Sequence, residues 1–192
     1  MSNSSSPRST MSDIAYVAVF AALIIVLAFV AIPVGTAGVP IVMQNAAIIL
    51  TGLVLGPRRG LLATCLFLGI GLVGLPVFPG GRSTLVALAG PTVGYIIGYL
   101  VSSFVAGLIA YQVPRKSKAA HSLVLVIAAI LALGCQYLCG AAGLSVRAGM
   151  EFSAALTAQI PFIIPDLIKI TAAVLITLSI HTAFPQLRPA KS

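Results

Sequence analysis

Residues 14–32 read IAYVAVFAALIIVLAFVAI, a run of 19 residues without a charge, a glycine or a proline. A helix of this length spans about 28 Å, close to the thickness of a bilayer's hydrocarbon core. The run is longer than the apolar part of a cleavable signal peptide, and Pro33 follows it where a small-residue cleavage site would stand. It therefore predicts a membrane-spanning helix.

The whole chain shares this apolar character. Of its 192 residues, 59% are apolar and 7% are charged, whereas an ordinary soluble domain has about 25% charged residues. The mean hydropathy is +1.13. This small number of polar groups cannot cover the surface of a water-soluble domain. A soluble globular fold is therefore excluded.

Six segments are apolar and long enough to be spans. Prolines stand at the starts or just past the ends of several of them, where a helix tolerates proline best. We therefore predict an all-α integral membrane protein with six transmembrane helices in one domain, residues 13–185, between a disordered tail, residues 1–12, and a short tail, residues 186–192. The predicted spans are Ile14–Ile32, Ile41–Gly56, Gly60–Leu75, Pro91–Val113, Ser122–Leu144 and Pro165–Phe184.

The basic residues predict the orientation. With both termini in the cytoplasm, the inner segments hold eight bases and the outer loops hold two, as the positive-inside rule requires. The net charge of +8 is explained without nucleic acid. The inner bases are Arg8, Arg58, Arg59, Arg115, Lys116, Lys118, Arg188 and Lys191, and the outer ones are Arg82 and Arg147.

Other motifs carry little chemistry. Gly69–Gly74 matches the dinucleotide fingerprint by letter, but it lies inside an apolar span, where glycines favour close helix packing. No P-loop sequence, catalytic triad or pair of adjacent carboxylates is present. His121 and His181 fall near cytoplasmic helix ends without further ligands, and we expect solvated interfacial side chains. We predict neither an enzyme nor a cofactor or metal site.

The basic residue not used for orientation is Lys169, which shares the opening of the last span with Asp166. Ionisable residues inside a membrane are expensive and point to function by default. If Pro165 opens the helix, both side chains lie in its first turn. They form either a structural ion pair or a ligand site, in which the lysine meets a ligand carboxylate and the aspartate accepts N–H bonds.

Further polar groups fall at the same outer face. Gln44 and Asn45 open the second span, and Tyr95 follows the glycine-rich loop that contains Arg82. Polar groups from separate spans that converge on one face are typical of a ligand site. An ordinary turn and an interfacial tyrosine are the alternatives.

Five separated runs of the sequence resemble the BioY family, and the resemblance covers about residues 14–184. They are Val39-Pro-Ile-Val-Met-Gln44, Leu55-Gly-Pro-Arg-Arg-Gly60, Gly74-Leu-Pro-Val-Phe78, Gly90-Pro-Thr-Val-Gly-Tyr95 and Asp166-Leu-Ile-Lys169. The resemblance implies a six-helix substrate-binding (S) component of an energy-coupling factor (ECF) transporter in a prokaryotic plasma membrane. Such a component captures biotin from outside, and a transmembrane coupling protein with two ABC-type ATPases drives uptake.

The resemblance also implies residue roles. Lys169 would bind the carboxylate or valerate end of biotin, Asp166 the ureido ring, and Gln44 and Tyr95 would line the pocket. Ala18 and Ala22 on the first helix would face the coupling protein, at a spacing that permits close helix approach.

The chain departs from the family pattern at Arg82, where family members often have asparagine; its charge would steer or bind an anion. Ile164-Pro165 also stands where Pro-Gly is usual. A solitary secondary biotin carrier, an S component for another small anionic vitamin, and a non-transport membrane subunit are the alternatives.

Overall fold

A computed structural model describes residues 7–32, 41–112 and 118–187. Almost all of this part of the chain is helical. Strands β1 (Ala31–Ile32) and β2 (Ile41–Val42) form a short antiparallel ladder, and 3₁₀ turns cover Pro79–Gly81 and Pro185–Leu187. The helices are α1 (Pro7–Ala28), α2 (Gln44–Leu72), α3 (Thr84–Ala89), α4 (Val93–Ala110), α5 (Lys118–Ala148), α6 (Phe152–Thr157) and α7 (Ile160–Ala183).

Five helices are long and apolar enough to cross a membrane: α1, α2, α4, α5 and α7. The prediction of an all-α, multi-pass membrane fold is therefore confirmed. The predicted spans 14–32, 91–113, 122–144 and 165–184 correspond to α1, α4, α5 and α7, with ends that differ by several residues. Helix α1 already begins at Pro7, inside the segment predicted to be a tail, and residues 1–6 lie outside the described residues.

Helix α2 is broken at Gly56, whose φ of 81° and ψ of 179° are not helical. Pro57 follows, and its missing N–H cannot continue the helical ladder. A Cβ placed on Gly60 would lie 2.9 Å from Cα of Gly52, although eight residues of continuous helix rise about 12 Å. The chain therefore turns back on itself, and the arms 44–55 and 57–72 pack side by side where the sequence predicts two spans.

The two ends of α2 lie close together at the end of the hairpin away from Gly56. Nε2 of Gln44, at the start of the helix, donates to the carbonyl oxygen of Val77, five residues past its end, across 2.8 Å. Ala47 and Phe67, one from each arm, belong to the same buried cluster. The arms therefore form a hairpin, whose open end lies opposite the break at Gly56, carries both termini of α2 and is held together by the Gln44–Val77 bond.

Helix α4 packs between α2 and α5 through glycines. A Cβ on Gly94 would lie 2.1 Å from the carbonyl oxygen of Cys139 and 2.7 Å from Cα of Gly143. A Cβ on Gly71, in the run that resembles a dinucleotide fingerprint, would lie 2.1 Å from Oγ1 of Thr84. Gly71 thus agrees with the packing interpretation of that run, whereas a Cβ on Gly69 or Gly74 would meet nothing within 4 Å.

His121 and His181 are buried against each other, so the prediction of solvated side chains is wrong. Their rings stack with centroids 5.4 Å apart, and Nε2 of His121 lies 3.2 Å from Nδ1 of His181. Nε2 of His181 lies 3.1 Å from the carbonyl oxygen of Val54, beside the break in α2. The start of α5 and the end of α7 thus meet at the break, a contact between helix ends that no local pattern shows.

The first helix and the C-terminal turn are attached at the same end of the bundle. Arg59, just after the break, contacts Oδ1 of Asp13 with Nη2 at 2.5 Å and lies over the ring of Tyr16. Oη of Tyr111 lies 2.6 Å from the carbonyl oxygen of Val54 and 3.1 Å from that of Leu187. The start of α1 and the end of α7 therefore lie on one side, opposite the open end of the α2 hairpin.

Candidate functional site

A cavity of about 410 Å³ lies at the open end of the α2 hairpin. The starts of α2, α4 and α7, the second half of α5 and the loop before α3 surround it. Its volume falls in the range of small-molecule sites, and apolar groups form most of its wall. The polar and aromatic side chains in the lining include Asn45, Arg82, Thr92, Tyr95, Tyr99, Gln136, Tyr137, Gln159, Asp166 and Lys169.

Lys169 is 8% exposed and uses all three donor positions of its ammonium group within the protein. Nζ donates to the carbonyl oxygen of Val42 at 2.8 Å and to Oδ1 of Asn45 at 2.9 Å. The third contact is an ion pair with Oδ1 of Asp166. The short β1–β2 ladder positions the carbonyl oxygen of Val42 for its contact with Lys169. Strand β2 and the start of α2 therefore both contact the lysine.

Asp166 is 3% exposed, and both of its oxygens have partners. Oδ1 pairs with Lys169, and Oδ2 accepts a hydrogen bond of 2.6 Å from the hydroxyl of Tyr137. The buried Asp166–Lys169 pair is electrically neutral. The two residues form the ion pair of the first predicted alternative and also line the cavity, where the second alternative, a ligand site, stays a prediction.

The pair does not lie in a first helical turn, so the predicted helix start at Pro165 is wrong. Helix α7 begins at Ile160, with Pro161 in its first turn and Pro165 inside the helix. Asp166 is the seventh residue of α7 and Lys169 the tenth, beyond the reach of the helix N-terminus. Direct contacts, rather than the helix dipole, hold the carboxylate.

The structure brings Tyr95 and Arg82 to the cavity with the Asp166–Lys169 pair. Gly140 of α5 makes room for the tyrosine, since a Cβ there would lie 2.3 Å from the Tyr95 ring. Arg82 is exposed at the rim, where Nε donates to the carbonyl oxygen of Pro79 at 3.3 Å. An isolated bridge between Phe78 and Arg82 shapes this loop.

Gln44 does not line the cavity, contrary to what the resemblance implies. Its side chain is fully buried and donates to the carbonyl oxygen of Val77, and this bond holds the two ends of α2 together. Its neighbour Asn45 contacts Lys169 instead. Successive residues of a helix lie about 100° apart, so only one of the two faces the site.

The polar residues of the lining that were not singled out from the sequence include Gln136, Tyr137 and Gln159. Gln136 donates to Oγ of Ser102 at 2.9 Å and to the carbonyl oxygen of Asn45 at 3.2 Å. A Gln-Tyr dipeptide within an otherwise apolar span was the available signal, since buried polar groups in a membrane need partners. Gln159 lies between α6 and α7, where the sequence predicts a loop, and carried no such signal.

Comparison with known proteins identifies close relatives. A model of the BioY family matches residues 1–186. A biotin transporter BioY of Rhizobium etli is 32% identical over 94% of this chain and 98% of its own length, and one of Rhodobacter capsulatus is 38% identical over 88% and 92%. The solved structure of the S-component for biotin from an ECF-type ABC transporter superposes with a TM-score of 0.78 at 28% identity, over 95% of each chain.

Proposed function

The chain belongs to the BioY family, and from that premise we propose that it captures biotin outside the cell as the substrate-binding component of an ECF-type ABC transporter. The relatives named biotin transporter BioY align with 88–94% of this chain, and the solved S-component for biotin aligns with 95% of it. The protein is a non-enzymatic transport subunit in a membrane.

The observation that carries this function is a buried acid and base at the wall of a cavity inside an apolar helical bundle. Biotin has an apolar bicycle, a ureido ring with two N–H groups and a carbonyl, and one carboxylate. The cavity offers aromatic and aliphatic walls, an acceptor at Asp166, and cations at Lys169 and Arg82. Each chemical part of the ligand has a matching group.

The charges favour one orientation of biotin. The ammonium of Lys169 is already paired with Asp166, so a ligand carboxylate placed beside them would bury an uncompensated negative charge. Arg82 also lines the cavity, and no carboxylate of the described chain lies within ion-pair distance of it. We therefore assign the ureido ring to the Asp166–Lys169 pair and the carboxylate to Arg82, with Tyr95 along the wall.

The membrane topology that we propose has six crossings and both termini in the cytoplasm of a prokaryotic cell. The break at Gly56 supports a count of six, because the two arms of α2 then cross separately. The start of α1, the end of α7 and the bases Arg58 and Arg59 lie at one end of the bundle, as the positive-inside rule requires of a cytoplasmic face. The cavity then opens outward.

The proposed partners are a transmembrane coupling protein and its ABC ATPases. Only 17% of the apolar window of α1 is buried within the protein, against 33–50% for the other four candidate spans. Ala18 and Ala22 lie exposed on α1, and small residues let a partner helix approach closely. This face is the one that we assign to the coupling protein.

A ligand screen tests the proposed substrate. In a thermal-shift assay of the purified protein in detergent, biotin at 100 times its dissociation constant adds about 2.7 kcal/mol of stability, and other water-soluble vitamins add none. Stabilisation by a different anionic vitamin, and not by biotin, overturns the substrate assignment.

An uptake assay in proteoliposomes tests the partners. We expect biotin accumulation only when the coupling protein, the ATPases and ATP are present. Uptake by this chain alone, driven by an ion gradient, identifies a solitary secondary carrier instead.

A further inference from the structure

Gln159 stands at the corner between α6 and α7, with its side chain in the wall of the cavity. It is 4% exposed, and Nε2 donates to two backbone carbonyls, that of Tyr137 at 3.0 Å and that of Ala155 at 3.3 Å. Both amide hydrogens are therefore used inside the protein.

These two bonds fix the orientation of the amide. Turning it over would set the side-chain oxygen against two carbonyl oxygens, which cannot donate. Oε1 is thus an obligatory acceptor, and it has no hydrogen-bond partner among the described residues although it is buried. Buried polar groups are almost always paired, so an unpaired acceptor on a side chain that also lines the cavity points to a ligand donor.

The neighbouring acceptors are already engaged. Each oxygen of Asp166 has a partner, Lys169 on one side and Tyr137 on the other. Tyr137 joins the two acceptor residues, because its carbonyl oxygen holds the amide of Gln159 and its hydroxyl holds Asp166. The cavity lining thus holds an acceptor with no hydrogen-bond partner among the described residues and a carboxylate with one partner on each oxygen, and Tyr137 contacts both side chains.

We propose that Gln159 is a ligand-binding residue whose Oε1 accepts one N–H of the ureido ring, while Nε2 anchors the amide to the backbone. This inference rests on the proposed function, since it takes biotin as the occupant of the cavity. Gln159 then selects ligands that carry an N–H at this point, such as cyclic ureas and lactams, over N-alkylated ones.

Substitution tests the contact. Gln159→Met keeps about the same length and volume of the side chain but removes the acceptor together with the two amide donors, and we expect biotin binding to weaken about 10- to 100-fold by calorimetry. Ser103→Ala is the matched control. Oγ of Ser103 is likewise buried and unpaired among the described residues, but Ser103 does not line the cavity, so its loss leaves biotin affinity unchanged.

Ligand variants separate this contact from a general disturbance of the cavity. Biotin methylated at one or the other ureido nitrogen is titrated into the wild type and Gln159→Met. For one of the two nitrogens, methylation weakens binding to the wild type at least tenfold but changes binding to the variant less than threefold. Equal losses in both proteins at both nitrogens overturn the inference.

The outcomes also separate this inference from the proposed function. If the wild type does not bind biotin, the function fails. If the wild type binds and Gln159→Met binds equally well, only the role of Gln159 fails. Should Gln159→Met not fold, Gln159→Asn, which withdraws the amide by one methylene, is expected to show the same ligand dependence at the same nitrogen.

Discussion

The hydroxyl of Tyr137 donates to Oδ2 of Asp166 across 2.6 Å and thereby joins α5 to α7 at the wall of the cavity. Asp166 also pairs with Lys169, whose ammonium donates in turn to Asn45 at the start of α2. Such support keeps a binding group in place before the ligand arrives.

Removing the hydroxyl tests this support. Tyr137→Phe leaves Oδ2 of Asp166 without its donor, and we expect biotin affinity to fall about tenfold, because a hydrogen bond to a charged group contributes about 1.5–3 kcal/mol. Calorimetric titration measures the change. Tyr16→Phe, at the opposite end of the bundle, is the control and leaves the affinity unchanged. Equal affinities of Tyr137→Phe and the wild type contradict the positioning role.

A double substitution separates structural pairing from ligand binding at the Asp166–Lys169 pair. Lys169→Met alone leaves a buried carboxylate without its cation and lowers the free energy of unfolding by about 3–5 kcal/mol. Adding Asp166→Asn removes that charge, so stability returns toward the wild-type value. Unfolding in detergent measures the recovery, and biotin binding does not return with it. A stable double variant that binds biotin as tightly as the wild type shows that the pair is only structural.

Arg82 is tested through the charge of the ligand. Arg82→Gln weakens binding of biotin about three- to tenfold but leaves binding of biotinamide, which lacks the carboxylate, unchanged. The exposed Arg147→Gln, which removes another base outside the cavity lining, affects neither ligand. Equal losses for biotin and biotinamide place the carboxylate elsewhere.

The break in α2 is tested by two alanine substitutions in the same helix. Gly56 has a backbone conformation almost confined to glycine, and the Tyr111 ring would lie 3.1 Å from a new Cβ, so Gly56→Ala destabilises the protein by about 1–3 kcal/mol. Gly69 is helical with open space around a Cβ, and Gly69→Ala is neutral or stabilises by up to about 1 kcal/mol. Comparable unfolding free energies for the two variants contradict a glycine-dependent hairpin.

The sequence predicts the spans well because lipid requires long apolar segments, which a composition pattern shows directly. It places the start of α7 wrongly because proline is a reliable helix start in water, whereas a membrane helix also accepts Pro165 in its interior. The six-residue helices α3 and α6 are too short to leave a periodic pattern.

The charged residues of the site are visible in the sequence because an intramembrane acid and base are rare. The roles of Tyr137 and Gln159 cannot be assigned from the sequence, since they depend on contacts between segments far apart along the chain. The same reason explains the misplaced histidines and Gln44, whose partners lie 60 and 33 residues away. Sequence shows which groups are costly to bury, and only the fold shows what pairs with them.

If the proposed function is right, biotin binds in the cavity beside Asp166 and Lys169. Equilibrium binding of radiolabelled biotin to the purified protein in detergent measures this, with the Asp166→Asn and Lys169→Met double variant measured in parallel. We expect saturable binding of one biotin per wild-type chain and its loss in the folded double variant. No saturable binding to the wild type, or undiminished binding to the double variant, contradicts it.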